Sequence, residues 1–385
     1  MNICYWSPHI SDKVATVKAV LNSAKSIVKY DKDKRNISII NAVGEWNNFR
    51  DVIKSAGIEL INFTGSTTLY DNLLKDSYIK SRISYIFIFI FSFFKLFFFL
   101  KKKKPNYLIV HLITSLPLTL AILFKFDTRF ILRISGLPKL NFFRKFLWKI
   151  ASKNIYKIIC PTQQTYADML DFQIFDKNQL CTIYDPIISP SEIIQTQKLN
   201  PIQDDFIMSN KKKYVLAIGR LSKQKNFSFL IKSFSDIVKN FPNLKLVILG
   251  EGEERTKLEK LIVDYNLEKF VFIYGYKKNI FYFLENAYCF ILSSLWEDPG
   301  FVLIESAYSG TLILSSDCRN GPKEILNNED RGYIFESNNS DSFIYKFNKL
   351  TKEEKSHGKK VILAKKFSKN FSFFNHYNKI SKILI

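Results

Sequence analysis

Apolar positions along the chain alternate between short β-branched runs and stretches spaced three and four residues apart, the periods of strands and of amphipathic helices. Ile3–Trp6 reads as a strand, after which Val17, Val20, Leu21, Ala24 and Val28 fall on one face of a helix. Asn36–Val43 reads as a strand, Trp46–Ala56 as a helix and Ile58–Phe63 as a strand. The strands Tyr107–His111, Arg129–Ile134 and Tyr156–Cys160 follow, each leading into a helical stretch. Such alternation predicts a parallel sheet covered on both faces.

A polar stretch, Lys198–Lys213, reads as a linker, and the scheme then repeats. Strand Tyr214–Gly219 precedes a helix over Phe227–Lys239, and strand Leu244–Leu249 runs into Gly250-Glu251-Gly252 and a helix over Glu254–Tyr265. Phe270–Tyr274, Ala287–Ser293 and Thr311–Ser315 complete the predicted strands. The expected fold class is α/β, with two Rossmann-like parallel-sheet domains and a cleft between them, over residues 1–195 and 196–365. Residues 366–385 are expected to form a helix returning to the first domain.

Composition narrows the class. With 385 residues, 47% of them hydrophobic, the chain can bury two globular cores. Five scattered cysteines show no metal-like or redox-like spacing and read as reduced thiols in a cytoplasmic protein. The start, Met1 to Pro8, lacks a basic region followed by an apolar stretch, which points away from a secretory signal. The formal charge of +22 is uneven. Residues 101–150 carry Lys101, Lys102, Lys103, Lys104, Lys125, Arg129, Arg133, Lys139, Arg144, Lys145 and Lys149 against the single acid Asp127. Such a field attracts nucleic acid, anionic lipid or phosphorylated substrates, and charge alone does not choose among them.

Ile83–Leu100 consists mostly of Phe, Ile and Leu, is interrupted by Lys95, and ends in four lysines. It fits a helix packed on the sheet as a βαβ crossover, a helix lying in a membrane interface, or a membrane span. Asn141–Lys153 favours a membrane surface, with Phe142, Phe143, Phe146, Leu147 and Ile150 on one side and Arg144, Lys145, Trp148 and Lys149 on the other. A solvated helix face is the plainer alternative.

Chemistry concentrates in the second half. Gly219-Arg220-Leu221-Ser222-Lys223-Gln224-Lys225-Asn226 links a strand to a helix, where a diphosphate would meet backbone amides, the planar Arg220 and the mobile Lys225. From Ser293 to Glu305 a strand end, a Pro299-Gly300 turn and a helix start follow one another. Gly300 allows close backbone approach, and the amides of Phe301 and Val302 can face phosphate. Glu297 and Glu305 are carboxylates that can each accept from neighbouring hydroxyls, as in a ribose or a sugar ring.

These stretches, with Leu249-Gly250-Glu251-Gly252 and Asp317-Cys318 followed by Gly321-Pro322-Lys323-Glu324-Ile325, resemble the retaining GT-B glycosyltransferases of the family-four type. The resemblance is strong over about Tyr214–Gly332 and looser over Met1–Pro190. It implies that Arg220 and Lys225 bind the donor diphosphate, that Glu305 holds the ribose, and that Glu297 holds the transferred sugar. Pro105 to His111 looks like the family's Pro-Asp…His-x-His strand, with His111 on the second histidine. Ile109 replaces the first histidine and Asn106 the Asp. His111 thus becomes the candidate beside the reacting centre, with a core histidine as the alternative. Ser7-Pro8-His9-Ile10 replaces the family's paired-glycine loop, and Arg133-Ile134-Ser135-Gly136 stands where many members carry His-Gly. These departures weigh on the acceptor side.

The resemblance implies a retaining, metal-independent transfer from a nucleotide-diphosphate sugar, UDP-linked first, to a saccharide or polyprenyl-diphosphate-linked acceptor in surface-polysaccharide or lipopolysaccharide synthesis. The expected place is the inner face of the cytoplasmic membrane, on anionic lipid. No cofactor is expected. The rivals are a basic nucleic-acid-binding protein, which no binding module supports, and a non-catalytic membrane-associated scaffold. Asp31-Lys32-Asp33 has the spacing of a metal-binding Asp-x-Asp but lies in a lysine-rich connection, so a charged turn is expected there.

Overall fold

The computed structural model describes residues 1–10, 15–64, 69–73, 78–136, 141–199 and 204–385. Two compact units divide the chain, one made of Met1–Pro186 with Phe373–Ile385 and the other of Ile187–Ser372.

The first unit holds β1 (Asn2–Trp6), β2 (Asn36–Asn41), β3 (Glu59–Asn62), β4 (Tyr107–Val110), β5 (Arg129–Arg133), β6 (Ile155–Cys160) and β7 (Leu180–Thr182). All neighbouring pairs are parallel, in the order 3-2-1-4-5-6-7. The helices are α1 (Ala15–Tyr30), α2 (Arg50–Ser55), α3 (Tyr78–Lys103), α4 (Ser115–Leu123), α5 (Phe142–Ala151) and α6 (Gln163–Asp171). Side chains alternate along each strand. Ile3, Tyr5, Ile39 and Ile109 join the core shared with α1, while Cys4, Trp6, Ile40 and Val110 join the core shared with α3 to α6. Both faces are therefore buried, which explains the continuous apolar runs in the sequence.

The second unit repeats the plan after α7 (Pro190–Leu199) and α8 (Asp205–Ser209). Its strands are β8 (Tyr214–Ile218), β9 (Lys245–Leu249), β10 (Val271–Gly275), β11 (Cys289–Leu292), β12 (Leu312–Ser316) and β13 (Tyr333–Phe335). They pair in parallel in the order 10-9-8-11-12-13. The helices are α9 (Phe227–Asn240), α10 (Arg255–Asp264), α11 (Ile280–Asn286), α12 (Phe301–Ser309), α13 (Pro322–Leu326), α14 (Ser340–Lys352) and α15 (Glu354–Ser368). The chain then returns to the first unit, where α16 (Phe373–Ile380) packs on α1.

In both sheets the strand order reverses direction beside the first strand of the unit. The carboxyl ends of β1 and β4, and of β8 and β11, flank these switch points, the positions at which open parallel sheets generally bind ligands.

Two expectations change. The Lys198–Lys213 stretch is not a plain linker, since α8 sinks Ile207 into the protein; residues 200–203 and Lys139 lie outside the described residues. Trp148 does not stand on an outward basic face of α5. It is 3% exposed and packs 5.6 Å from Phe175, because a large indole gains more from the sheet than from solvent. The packed crossover helix expected over Ile83–Leu100 is present: α3 buries one side against the first sheet, with Ile88, Leu96 and Leu100 in contact with core residues.

Candidate active site

The second switch point is built from main chain stacked on main chain. Gly219 donates its amide to the Leu249 carbonyl at 3.0 Å, Gly250 to Gly275 at 2.8 Å, and Leu221 to Glu251 at 2.9 Å. A Cβ at Gly250, where φ is +152°, would sit 1.8 Å from the Gly219 oxygen. At Gly252 it would sit 2.4 Å from the Leu221 oxygen. Only glycine permits the loops after β8 and β9 to touch in this way. Arg220 leaves this platform exposed, with its guanidinium available to an anion.

The loop after β8 then zips to the loop after β11. Ser293 Oγ donates to the Lys225 carbonyl at 2.8 Å, the Leu295 amide to the Gln224 carbonyl at 2.8 Å, and Gln224 Nε2 to the Trp296 carbonyl at 2.9 Å. The Glu297 amide is fixed to the Arg319 carbonyl at 3.1 Å. These bonds place Lys225 Nζ 2.5 Å from Glu297 Oε1, and Ser294 Oγ donates to the same oxygen at 2.5 Å. The Lys225 and Glu297 side chains are 15% and 5% exposed. Such a shielded pair survives because each charge has a partner. Among the described residues both contacts on the carboxylate fall on Oε1, and Oε2 can accept from a ligand hydroxyl. Lys225 retains further protons for an oxyanion.

Past Pro299 the chain turns at Gly300, with φ +92°, into α12. Phe301 and Val302 occupy its first positions, ahead of the first intrahelical bond from Leu303 to the Gly300 carbonyl at 3.0 Å. Helix amides at this end carry partial positive charge toward the strand edge. Glu305 lies one turn in and is 6% exposed. The loop is backed by Gly321, where a Cβ would meet the Pro299 oxygen at 2.0 Å. Arg220, Lys225, Glu297, Gly300, Phe301, Val302 and Glu305 thus all belong to the loops and helix start at one switch point.

His111 belongs to the first unit, just past the carboxyl end of β4, with its amide on the Trp6 carbonyl at 2.9 Å. Its ring lies 5.9 Å from that of Tyr5, and its buried Nδ1 has no hydrogen-bond partner among the described residues. Burial, then Arg133, then His376 hold its pKa well below the ordinary value, so the imidazole is neutral at neutral pH. Arg133 itself forks onto Asp185, with Nε 3.2 Å from Oδ1 and a second bond from NH2 to Oδ2, and reaches Ser135 Oγ at 2.7 Å. Nearby, His376 Nδ1 donates to the Tyr184 carbonyl at 2.8 Å, since a carbonyl can only accept. Its Nε2 therefore accepts from Ser23 Oγ at 2.8 Å, and Tyr5 donates to Ser23 at 2.8 Å.

Sequence reasoning passed over Ser294, Gln224, Asp185 and His376. Ser294 could have been found from its place three residues before Glu297. Asp185 and His376 carried no local signal. Asp31 and Asp33 both pair with Arg35, at 2.6 and 3.0 Å, as a charged turn does. Among the described residues no group of three or more His, Cys, Asp or Glu could hold a metal ion.

Comparison with known proteins agrees with this architecture. HepE of Anabaena, solved in complex with UDP, superposes with a TM-score of 0.71 at 14% identity, over 100% of this chain and 98% of its own. The fold is that of the GT-B glycosyltransferases, with two Rossmann-like parallel-sheet domains. Residues 202–370 match the family described as glycosyl transferases group 1, so the second unit carries a group 1 glycosyl transferase domain. An uncharacterized glycosyltransferase of Methanocaldococcus jannaschii is 38% identical over 181 residues, 47% of this chain and 39% of that protein. The UDP-Gal:alpha-D-GlcNAc-diphosphoundecaprenol alpha-1,3-galactosyltransferase of Escherichia coli is 25% identical over 239 residues, 61% of this chain and 59% of its own length. The chain spans less than two thirds of these relatives.

Proposed function

We propose that the protein is a glycosyltransferase that moves a sugar from a nucleoside diphosphate, UDP first, to a saccharide or lipid-diphosphate-linked saccharide in cell-surface polysaccharide synthesis. The observation that carries this reading is the Lys225–Glu297 pair with Ser294, set beside the amino end of α12 within a group 1 domain. The UDP named in HepE and the diphosphoundecaprenol acceptor named in the E. coli relative support the choice of donor and acceptor.

In this reading the donor diphosphate lies against Arg220, Lys225 and the amides of Phe301 and Val302, while Glu305 receives the ribose hydroxyls. Glu297 Oε2 takes a hydroxyl of the sugar. The bond from the anomeric carbon to the diphosphate breaks as positive charge spreads over the ring and negative charge gathers on the leaving oxygen. Lys225, Arg220 and the helix end stabilise that oxygen without a metal. The acceptor oxygen bonds to the same face of the sugar, so configuration is retained, and its proton passes to the leaving phosphate. His111, neutral and with its Nδ1 unpartnered among the described residues, is the first unit's candidate for the acceptor.

The test is a screen of UDP- and GDP-sugars by thermal shift, followed by transfer to a polyprenyl-diphosphate saccharide in EDTA, with the product anomer read by NMR. A retained linkage formed in EDTA is the expected result. Transfer abolished by EDTA and restored by a divalent ion would remove the metal-free mechanism. Nucleotide binding without transfer to any acceptor would leave a scaffold.

A further inference from the structure

Between positions 83 and 98 of α3, every exposed side chain is isoleucine or phenylalanine: Ile83, Ile86, Phe87, Ile90, Phe94 and Phe98. Ile90 and Phe94 are each 67% exposed. The opposite stripe, Ser84, Ile88, Ser92, Leu96 and Leu100, is buried at four-residue spacing, so one side of the helix packs and the other is bare. A water-facing helix looks different: the exposed positions of α9 are Lys232, Lys239 and Asn240. Lys95 does not interrupt the bare face. Its ammonium bends back to the Phe63 carbonyl at 2.8 Å and sits 3.6 Å from the Phe91 ring centroid.

The apolar surface continues sideways. Phe97 packs 4.6 Å from Phe124, which is exposed with Leu123 at the end of α4. Neighbouring α5 adds Phe142 and Phe143, each 78% exposed, with Phe146 and Ile150. A continuous apolar face of this kind marks an interaction site.

We infer that this face of the first unit lies in the interface of an anionic bilayer, with α3 parallel to the membrane plane. The charges around it select the partner. Exposed Lys101 to Lys104, Lys125, Lys145 and Lys149 rim the face, and the one acid of that region, Asp127, is tied to Lys104 at 2.9 Å. Phospholipid headgroups match such a rim. A second copy seated isologously would bring like rims together. A span would strip Ile88, Leu96 and Leu100 from the core they complete.

Topology adds direction. A crossover helix starts at the carboxyl edge of its sheet and ends at the amino edge. Phe142, Phe143 and the start of α3 therefore lie toward the edge that carries His111, and the lysine run lies at the other end. If the acceptor is lipid-linked, as in the function proposed above, the bilayer surface runs up to the edge where it is needed.

The test sediments the full-length protein with vesicles of phosphatidylcholine, with or without phosphatidylglycerol. Mixed vesicles should bind it. Ile90→Glu combined with Phe94→Glu should bind on the order of a hundredfold more weakly, with circular dichroism, thermal unfolding and UDP binding unchanged. Lys102→Gln with Lys103→Gln should weaken binding roughly tenfold and blunt the dependence on phosphatidylglycerol. Equal sedimentation of parent and double-glutamate variant overturns the inference. So does a parent that ignores vesicles and forms a dimer broken by the same glutamates, which assigns the face to a second copy. Resistance to alkaline carbonate with α3 protected from protease would replace the in-plane helix by a span. UDP binding in the same samples keeps these outcomes separate from failure of the donor site.

Discussion

The two units share one plan and hold their switch points together by different means. In the second, the loops are locked mainly by main chain: Gly219, Gly250, Gly252 and Gly321 let backbone rest on backbone, Ser293 and Gln224 add side-chain bonds to carbonyls, and Lys225 and Glu297 are presented on that frame. In the first, side chains do the locking, through Arg133 on Asp185 and through Tyr5, Ser23 and His376 in series. Glu45 locks its loop in the same manner. Wholly buried, it accepts from the amides of Ala42 and Val43 at 3.0 and 2.8 Å, and burial pushes its pKa up to about 7. A backbone-locked site tolerates change in what it presents, whereas a side-chain-locked edge loses its frame when one member changes.

The sharpest way to break this contrast is Arg133→Ala. It leaves the Asp185 carboxylate buried without its partner, and the first unit should lose about 4 kcal/mol. Hydrogen exchange resolved by unit should show loss confined to residues 1–186 and 373–385; uniform loss would contradict the division of labour. Acid is the next probe. His376 is held at about 4 by burial against an ordinary 6.5, so the unfolded chain binds the extra proton between those values. The contribution of His376 is complete above about pH 6.5 and should fall by on the order of 3 kcal/mol as pH drops toward 4; Glu45, with its raised pKa, contributes in the opposite direction and His111 in the same one. Urea unfolding of parent and His376→Gln across that range should show the His376 contribution as the difference between the two slopes, and equal slopes would contradict it.

On the other side of the contrast, Lys225→Ala and Glu305→Ala should each cut turnover about a hundredfold or more, counted per folded molecule, since Lys225→Ala also takes the cation from the shielded Glu297 carboxylate. Near-parental rates in either would remove the donor-site assignment. Ser294→Ala should be the mildest. Losing one of two donors to Glu297 Oε1 should lower kcat roughly tenfold, with nucleotide binding by calorimetry unchanged.

This division also explains what could be seen in the sequence. Backbone-locked loops need glycine at fixed offsets, so Gly219, Gly250-Glu251-Gly252 and Gly300 stood out, and Arg220, Lys225, Glu297 and Glu305 could be placed beside them. The alternation of strands and helices was equally plain, because strands buried on both faces are apolar throughout. Strands β7 and β13, three residues each, are too short to carry a period and escaped notice. Asp185 stands 52 residues from Arg133, and His376 stands 353 from Ser23. No local spacing rule connects residues so far apart. Trp148 was misplaced for a related reason: helical spacing groups side chains by face, but the sheet decides which face is covered.

The return of Phe373–Ile385 to the first unit has a consequence for how the molecule is made. Ile380, Ile383 and Leu384 complete the core that contains Ile3, Tyr5 and Val20. During synthesis from the amino end, that core stays open until the second unit has been made and the last helix has emerged. The second unit can fold first, although it is encoded later. A chain made as far as Ser372 thus has everything its second unit needs and a first unit still lacking α16. Truncation at Pro186 should yield an aggregating fragment rather than an independent domain.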